Sequence, residues 1–355
     1  MQNIVTNGNG HKTDIGVWFI TYNNPKMWSN NFGTGNPIEY RALISERPDT
    51  FGIQDSADPA GIDFQLSKLA QLGIDFILYD ITNGGLTGEI PYGWGETEDT
   101  GNRWIVKNAR LTCERIATWN KEHEHKIRYA FAVGCYRAIR GYKYDKDGNQ
   151  LKEGMSIGVC TELQAEPVYR QFFQDPVIGG DNYYQLNGKP LLVIHDWGEN
   201  VVTVPHGWNA YTGDRTYGDK FTVRNGQKGQ AGTYGWQTTY GTQPHPEVEV
   251  VCPGWASAHT GGGIISRECG AYYRRGWNVV LSNPAPRIVM IASWNDYNES
   301  CAIFPADTSN CTCTQEEQWQ DTDGKLDPFL FWNITKESIE RLRMKSGDDS
   351  RRGKE

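Results

Sequence analysis

The sequence alternates between short apolar runs, each the length of a strand, and stretches with apolar residues at helical spacing. Runs that are apolar nearly throughout are typical of strands buried on both faces of a parallel sheet. Predicted strands cover 14–22, 74–80, 126–133, 190–195, 220–223, 231–236, 247–252 and 287–294. Predicted helices cover 63–73, 108–124, 162–173, 266–277 and 328–343.

This repeated alternation with eight strands predicts an α/β fold, a (β/α)8 TIM-type barrel, rather than an open sheet. Long loops follow predicted strands and therefore lie on the C-terminal face, where barrel enzymes carry their sites. These loops cover 23–62, 83–107, 134–160 and 196–218. Within 134–160, the residues Asp147-Gly148-Asn149 are typical of a hairpin turn.

One domain accounts for the chain. Residues 1–344 are expected to form a single catalytic barrel. Residues 345–355 are almost all charged or small, and we expect a disordered tail. No apolar run approaches the roughly 20 residues of a membrane span. The N-terminal residues lack the basic and apolar regions of a signal peptide, although we expect an extracellular or periplasmic protein.

Charge and cysteine content bear on which molecules and metals the chain binds. The 355 residues carry 35 Lys+Arg against 43 Asp+Glu, a net charge of −8 with dispersed basic residues, which disfavours nucleic acid. The eight cysteines include no CxxC pair, so structural zinc is disfavoured. Disulfides are favoured near Cys301, Cys311 and Cys313, which lie close together in the sequence. We expect a monomer without metal or cofactor.

The chain is rich in aromatic residues, with 13 Trp and 18 Tyr. A flat indole packs well on the apolar face of a pyranose ring, and many of the tryptophans fall in loop-like segments, which favours a carbohydrate partner. A place in the core remains the alternative for each of them. They are Trp28, Trp94, Trp104, Trp197, Trp208, Trp236 and Trp255.

Polar and aromatic residues recur at the ends of the predicted strands, which converge on one mouth in a barrel. For each residue taken alone, capping a helix or binding a loop amide is the alternative role. Beyond Trp255, His259 and Arg267 either bind sugar hydroxyls or an acidic group of the substrate, or are ordinary polar loop residues. The predicted substrate-binding residues are Trp18, Tyr22, Asp80, His195, Asp196, Trp236, Gln237, Trp255, His259, Trp294, Asn295 and Tyr297.

The strongest chemical signal is the pair Asp296 and Glu299, called here the carboxyl pair. Residues three apart diverge on a strand but become neighbours in a helical turn, so the last strand must end near Asn295 for the two to meet. Acetal hydrolysis needs one carboxyl group as acid and a second group as base. Two crowded acids favour one staying protonated. Acidic residues in the first turn of a helix are the alternative.

The segment 294–300 reads WNDYNES and is followed by AIFPAD at 302–307. It resembles the signature of glycoside hydrolase families 71 and 99. The family 71 pattern, from fungal α-1,3-glucanases, is similar to WNDYGES, from which this chain departs at Asn298. The family 99 pattern, from endo-α-mannosidases, is similar to NEWxEG. The run VCPGW at 251–255 resembles a family 99 PGW turn, whereas Phe304 stands where that family carries an acidic residue.

The resemblance implies an endo-acting hydrolase of an α-linked polysaccharide, of α-glucan or α-mannan type. It implies Glu299 as the general acid and Asp296 as the base. Family 71 implies inversion and family 99 implies retention assisted by the substrate 2-hydroxyl, and both outcomes remain open.

Two other functions are weighed against hydrolysis. The first is a non-hydrolytic carbohydrate-binding or surface-polysaccharide-processing barrel with a similar motif. The second, a metal-dependent sugar deacetylase or isomerase, is disfavoured because the sequence offers no complete ligand set. His123-Glu124-His125 lacks a third ligand in register, and the calcium-like runs at 145–149 and 321–327 lack a terminal glutamate and are better explained as turns.

Overall fold

The computed structural model describes residues 12–23, 41–82, 101–134, 143–144, 150–151, 165–194, 220–226, 232–235, 245–256, 264–310 and 319–345. The strands there are β1 (Asp14–Phe19), β2 (Arg41–Leu43), β3 (Phe51–Gly52), β4 (Phe76–Ile81), β5 (Arg128–Val133), β6 (Lys143–Tyr144), β7 (Gln150–Leu151), β8 (Gln185–Leu186), β9 (Lys189–Ile194), β10 (Thr222–Asn225), β11 (Val248–Val251), β12 (Trp255–Ala256), β13 (Ile264–Ile265), β14 (Ile288–Ile291) and β15 (Ala306–Asp307). The α-helices are α1 (Pro59–Leu72), α2 (Gly101–Glu122), α3 (Ala271–Ser282) and α4 (Leu330–Lys345). Shorter helical turns are the π-helix Val168–Phe173 and the 3-10 turns Gly180–Asn182 and Glu268–Gly270.

The central sheet contains seven parallel strands in the order β10-β9-β5-β4-β1-β14-β11, and β8 adds an antiparallel strand against β9. Neighbours in this sheet are consecutive parallel strands along the chain, except that β14, the last, lies beside β1, the first. A sheet that returns its last strand to its first has the strand order of a barrel wall. The predicted α/β alternation is therefore confirmed, while the described residues do not form a closed barrel of eight strands.

The predicted sixth strand, 231–236, is the place where the sheet departs from the prediction. Residues 232–235 have no strand assignment. They nevertheless run beside β10, because the Tyr234 N–H donates to the Asn225 carbonyl at 2.7 Å. The Tyr234 carbonyl in turn accepts the Trp18 indole N–H at 2.9 Å. Gly232 adopts a φ of 76°, which is incompatible with a regular strand.

The strands are buried on both faces, as their apolar composition requires. Gly16, in the middle of β1, shows how closely side chains of the neighbouring strands β4 and β14 pack against β1. A Cβ atom there would overlap the Phe76 ring and the Met290 sulfur. Aromatic residues fill the adjoining core, with Tyr79 and Phe131 ring centroids 5.1 Å apart.

Capping residues set the ends of the helices, and several helices therefore begin or end at residues other than the predicted ones. The Asp58 carboxylate accepts the N–H groups of Ala60 and Gly61, so α1 begins at Pro59 rather than at residue 63. Gly73 ends it in a left-handed conformation with φ 76°. Helix α2 likewise begins before its predicted start at 108.

Three further helical predictions are refined in the same way. Positive φ at Cys269 and Gly270 delays α3 until Ala271. The predicted helix 162–173 is described from residue 165 and becomes π-helical at Val168. Helix α4 extends to Lys345, and the rest of the predicted tail lies outside the described residues.

Small antiparallel sheets accompany the central one. β6 and β7 pair around 145–149, as the predicted hairpin requires. β12 pairs with β13, and β2 pairs with β3 and β15, and none of these was predicted because each is two or three residues long. No described helix is long and apolar enough to cross a membrane.

The cysteine prediction changes at Cys301, for which a disulfide was favoured. Cys301 is a buried thiol whose sulfur lies 3.5 Å from the Ser293 hydroxyl oxygen. Its close sequence neighbours Cys311 and Cys313 lie outside the described residues.

Candidate functional site

The carboxyl pair lies on a single turn that follows β14. The strand ends at Ile291, earlier than the predicted Trp294, and an irregular segment leads to the turn. The turn is closed by the Ser300 N–H on the Tyr297 carbonyl at 3.2 Å and by the Cys301 N–H on the Asp296 carbonyl at 3.1 Å. The chain therefore coils before Glu299, as the convergence of two residues three apart requires.

Asp296 is buried at the bottom of this turn, with 1% of its surface exposed. Its Oδ1 accepts the Glu299 N–H at 3.1 Å and the Tyr22 hydroxyl at 3.2 Å, while its own N–H donates to Ser293 Oγ at 3.0 Å. Burial, reinforced by the charges of Glu299 and Asp80, raises the pKa of Asp296 well above that of an ordinary aspartate. Asp296 therefore binds a proton more tightly than an ordinary aspartate does.

Glu299 is partly exposed and is held by the hairpin of β12 and β13. Its Oε2 accepts the Trp255 indole N–H at 3.0 Å. Its carbonyl accepts the Ala256 N–H at 2.9 Å. The side chain and the backbone of Glu299 are therefore fixed by two adjacent residues of one strand. Trp255 itself is partly exposed.

Asp80 adds a third carboxyl group at the carboxyl end of β4. Its Oδ1 accepts the Thr82 N–H at 2.9 Å, and burial raises its pKa. Burial, together with the charges of Asp296 and Asp80, raises the pKa of Tyr22 well above its ordinary value. Tyr22 therefore keeps its proton and serves as a donor. β1, β4 and β14 are neighbouring strands, which explains how their ends gather these groups.

Four of the predicted binding residues are buried. Trp18 and Trp294 are fully buried, and Trp294 stacks on Phe304 at 4.7 Å between ring centroids. The Trp294 indole N–H is bound to Gln65 Oε1 at 3.1 Å. Tyr297 is 1% exposed and donates its hydroxyl to the Phe304 carbonyl at 3.3 Å. These three aromatic side chains are therefore part of the packed core around the turn.

Asn295, the fourth, joins the ends of two strands. Its Oδ1 accepts the Ile20 N–H at 2.8 Å, and its Nδ2 donates to the Ile20 carbonyl at 3.0 Å and to Gln54 Oε1 at 3.2 Å. Asn23 donates to the same Gln54 oxygen at 2.9 Å and to the Asn295 carbonyl at 3.2 Å. Asn295 thus fixes the turn through its amide, and the network with Asn23 and Gln54 was not predicted from sequence.

The remaining predicted site residues lie outside the described residues, and their substrate contacts stay predictions. They are His195, Asp196, Trp236, Gln237 and His259. Among the described residues, no group of three or more histidine, cysteine, aspartate or glutamate side chains has an arrangement that could hold a metal ion.

Comparison with solved structures finds a similar fold in other proteins. An endo-α-mannosidase of glycoside hydrolase family 99 from Bacteroides thetaiotaomicron, in complex with bis-tris propane, matches with a TM-score of 0.58. The chain shares its fold with glycoside hydrolases. The match has 14% sequence identity and covers 94% of this chain and 99% of the other.

Further matches agree. Another structure of the B. thetaiotaomicron family 99 endo-α-mannosidase gives a TM-score of 0.54 at 13% identity, covering 94% of this chain and 99% of that one. A glycoside hydrolase-like protein gives 0.52 at 10% identity, covering 94% and 95%. No protein-family model and no curated protein sequence matches the chain. The likeness is therefore one of fold.

Proposed function

We propose that this chain is an endo-acting glycoside hydrolase of α-linked polysaccharide, related to family 99 and acting on an α-mannan-type substrate, with Asp296 and Glu299 as its catalytic pair. The observation that carries the proposal is the placement of both carboxyl groups on one turn after β14, where the Glu299 N–H donates to Asp296 Oδ1 at 3.1 Å. The fold shared with an endo-α-mannosidase favours mannan over glucan. The family 71 resemblance and the extracellular or periplasmic location stay predictions.

The roles are the ones that the family resemblance implies, with Glu299 as the general acid and Asp296 as the base. Glu299 is the more exposed of the two, so it protonates the leaving oxygen. Asp296 takes a proton from water or from the substrate 2-hydroxyl, according to whether the outcome is inversion or retention. Burial raises the pKa of Asp296, which makes its carboxylate a stronger base once it is ionised.

The proposal includes a complete (β/α)8 barrel in which 232–235 takes the place of the sixth strand. The gap to be filled lies between β10 and β11, the two ends of the strand order, and Tyr234 contacts residues at both. Its N–H donates to the Asn225 carbonyl of β10 at 2.7 Å, and its hydroxyl donates at 3.3 Å to Glu247, the residue before β11. Arg224 of β10 also forms an ion pair with Glu247 across the gap.

Product analysis on a polysaccharide panel tests the activity. We expect new reducing ends from α-mannan, with α-1,3-glucan and mixed bacterial polysaccharides as the competing substrates. Asp296→Asn and Glu299→Gln are each expected to lose most activity while the fold is retained. Glu337→Gln, at an exposed ion pair with Arg274, serves as the matched control and keeps full activity. Full activity in either variant of the pair contradicts the assignment.

A substrate with an acidic phenol as leaving group separates the two roles. Such a leaving group departs without protonation, so loss of the general acid costs little activity on it. Glu299→Gln is therefore expected to cleave the aryl glycoside, whereas Asp296→Asn is not. The opposite pattern would exchange the two roles.

One observation favours a second candidate, a carbohydrate-binding barrel without hydrolysis. Asp296 is only 1% exposed, which limits its access to a reacting group. Saturable binding of an α-linked polysaccharide, with no new reducing ends from any member of the polysaccharide panel, would establish that alternative.

A further inference from the structure

Arg267 lies behind the catalytic turn and does not face the site. It follows β13 and is 1% exposed, which is rare for arginine. Its guanidinium carbon lies 4.5 Å from the Phe331 ring centroid and 5.5 Å from that of Trp319. A cation over aromatic faces is stabilised by the ring quadrupole. Arg267 therefore has a built pocket in the core.

The guanidinium of Arg267 contacts the chain directly after the carboxyl pair. One terminal nitrogen donates to the Ser300 carbonyl, and the other donates to the Ala302 carbonyl at 3.5 Å. Ser300 has a φ of 49°, a left-handed conformation that is unfavourable for a residue with a side chain. Arg267 binds the carbonyl of that residue, so it stabilises the backbone conformation that ends the turn.

The same arginine packs against the segment that holds the Glu299 side chain. A Cβ atom at Gly254 would lie 2.6 Å from Arg267 Cγ, and Gly254 adopts a φ of 147°. Only glycine satisfies both conditions without a shift of its neighbours. The next residue is Trp255, whose indole binds Glu299 Oε2. Arg267 thus contacts both segments that fix Glu299.

We propose that Arg267 is a positioning residue, which sets the orientation of Glu299 relative to Asp296 through the Ser300 and Ala302 carbonyls and the Gly254-Trp255 step. This inference rests on the proposed function of the carboxyl pair. A planar guanidinium presents several donors in a fixed geometry and can hold two carbonyls at once, whereas an ammonium is a point charge.

The first test compares Arg267→Met and Arg267→Lys. In Arg267→Met we expect kcat to fall about 100-fold with KM little changed, because small displacements of a reacting group have effects of that size. Arg267→Lys keeps the charge and one donor group, so its kcat is expected to lie between that of Arg267→Met and that of the wild type. Arg341→Met, an exposed position on α4, is the matched control and keeps wild-type values.

The second test does not depend on activity and separates positioning from general stabilisation. The pKa of Asp296 is followed by carboxyl ¹³C NMR, with Asp296→Asn for assignment, in the presence and absence of Glu299→Gln. The difference measures the coupling within the pair. We expect this coupling to be smaller in Arg267→Lys than in the otherwise wild-type chain.

Each result decides the inference. An unchanged coupling overturns it, even if kcat falls, because Arg267 would then only stabilise the fold. An unchanged kcat in both variants also overturns it. If Arg267→Met fails to fold, Arg267→Lys provides both measurements. If the wild type cleaves no polysaccharide, the proposed function fails, while the NMR cycle still decides whether Arg267 orients the pair.

Discussion

The Trp255 indole N–H lies 3.0 Å from Glu299 Oε2, while the N–H of the residue after Trp255 binds the Glu299 carbonyl at 2.9 Å. The glutamate is therefore held at two points by one short strand, β12. A carboxyl group that receives an aromatic N–H on one oxygen has its other oxygen oriented by the rigid ring. Trp255 thus orients the proposed general acid, in addition to any contact with sugar.

We expect Trp255→Phe to lower kcat by roughly 10- to 100-fold, because the ring remains while the donor is lost. Glu299 gains negative charge as it gives up its proton, and a hydrogen bond to a charged group contributes about 1.5–3 kcal/mol, which corresponds to that range. The measurement is kcat on the polysaccharide that the wild type cleaves. Trp119→Phe is the control and leaves kcat unchanged, because Trp119 lies on α2 and its ring stacks on His123. A wild-type kcat in Trp255→Phe would remove this role.

Tyr22→Phe is expected to raise the pKa of Asp296, because the Tyr22 hydroxyl donates to Asp296 Oδ1 and so favours its ionised form. The acidic limb of the kcat profile then moves to higher pH by up to about one unit, the size of one hydrogen bond. The control is Tyr169→Phe, near Phe221 and away from the pair. A shift to lower pH would show that Tyr22 acts in another way.

The strands of the central sheet could be predicted from sequence because each is a continuous apolar run, which is visible in a short stretch of sequence. The end of the last strand could not. Ala292 and Trp294 continue the apolar run, yet the ladder of β14 stops at Ile291. Apolar composition records burial and does not distinguish a strand from an irregular buried segment.

The carboxyl pair could also be predicted, since three-residue spacing and a turn are local features. The supporting residues could not. Gln54 contacts Asn295 across 241 residues, and no sequence spacing encodes such a contact. Trp18 and Trp294 were predicted to bind sugar because they are aromatic and near the site, but burial is decided by tertiary packing.

Asp296→Asn is expected to stabilise the folded chain at neutral pH while it removes activity. The pKa of Asp296 is raised in the folded state by burial and by nearby carboxylates. Such a group binds a proton more tightly when folded, so its contribution is favourable at low pH and is lost as the pH rises through the folded pKa. A neutral amide avoids that loss. We therefore expect a higher Tm than the wild type at pH 8 and a smaller difference at pH 4.

The control for this variant is Asp49→Asn, an exposed position whose neighbour Arg47 is also exposed. It is expected to leave Tm unchanged at both values of pH. If the Tm difference between Asp296→Asn and the wild type were instead less favourable to the variant at pH 8 than at pH 4, the raised pKa of Asp296 would be contradicted.

Asp75, which precedes β4 at the opposite end of the sheet from the carboxyl pair, provides the contrasting case. Burial alone would raise its pKa, but the charges of Arg343 and Lys12 outweigh burial and lower it. Its carboxylate binds Arg343 at 2.7 Å and Lys12 at 3.1 Å, and it also accepts the Ile15 N–H at 2.9 Å. Asp14 lies nearby, and its pKa is raised by burial and by the charge of Asp75.

We expect Asp75→Asn to lower the free energy of unfolding by ~3 kcal/mol at pH 7, because it leaves a buried arginine without its carboxylate. A lowered folded pKa contributes stability above the unfolded value, about 3.9, which is lost as the pH falls through the folded value. The difference between wild type and variant should therefore shrink below about pH 4, as measured by denaturant unfolding at pH 7 and pH 3. A constant difference would show that Asp75 acts through packing alone, because the charge on its carboxylate would then contribute nothing to stability.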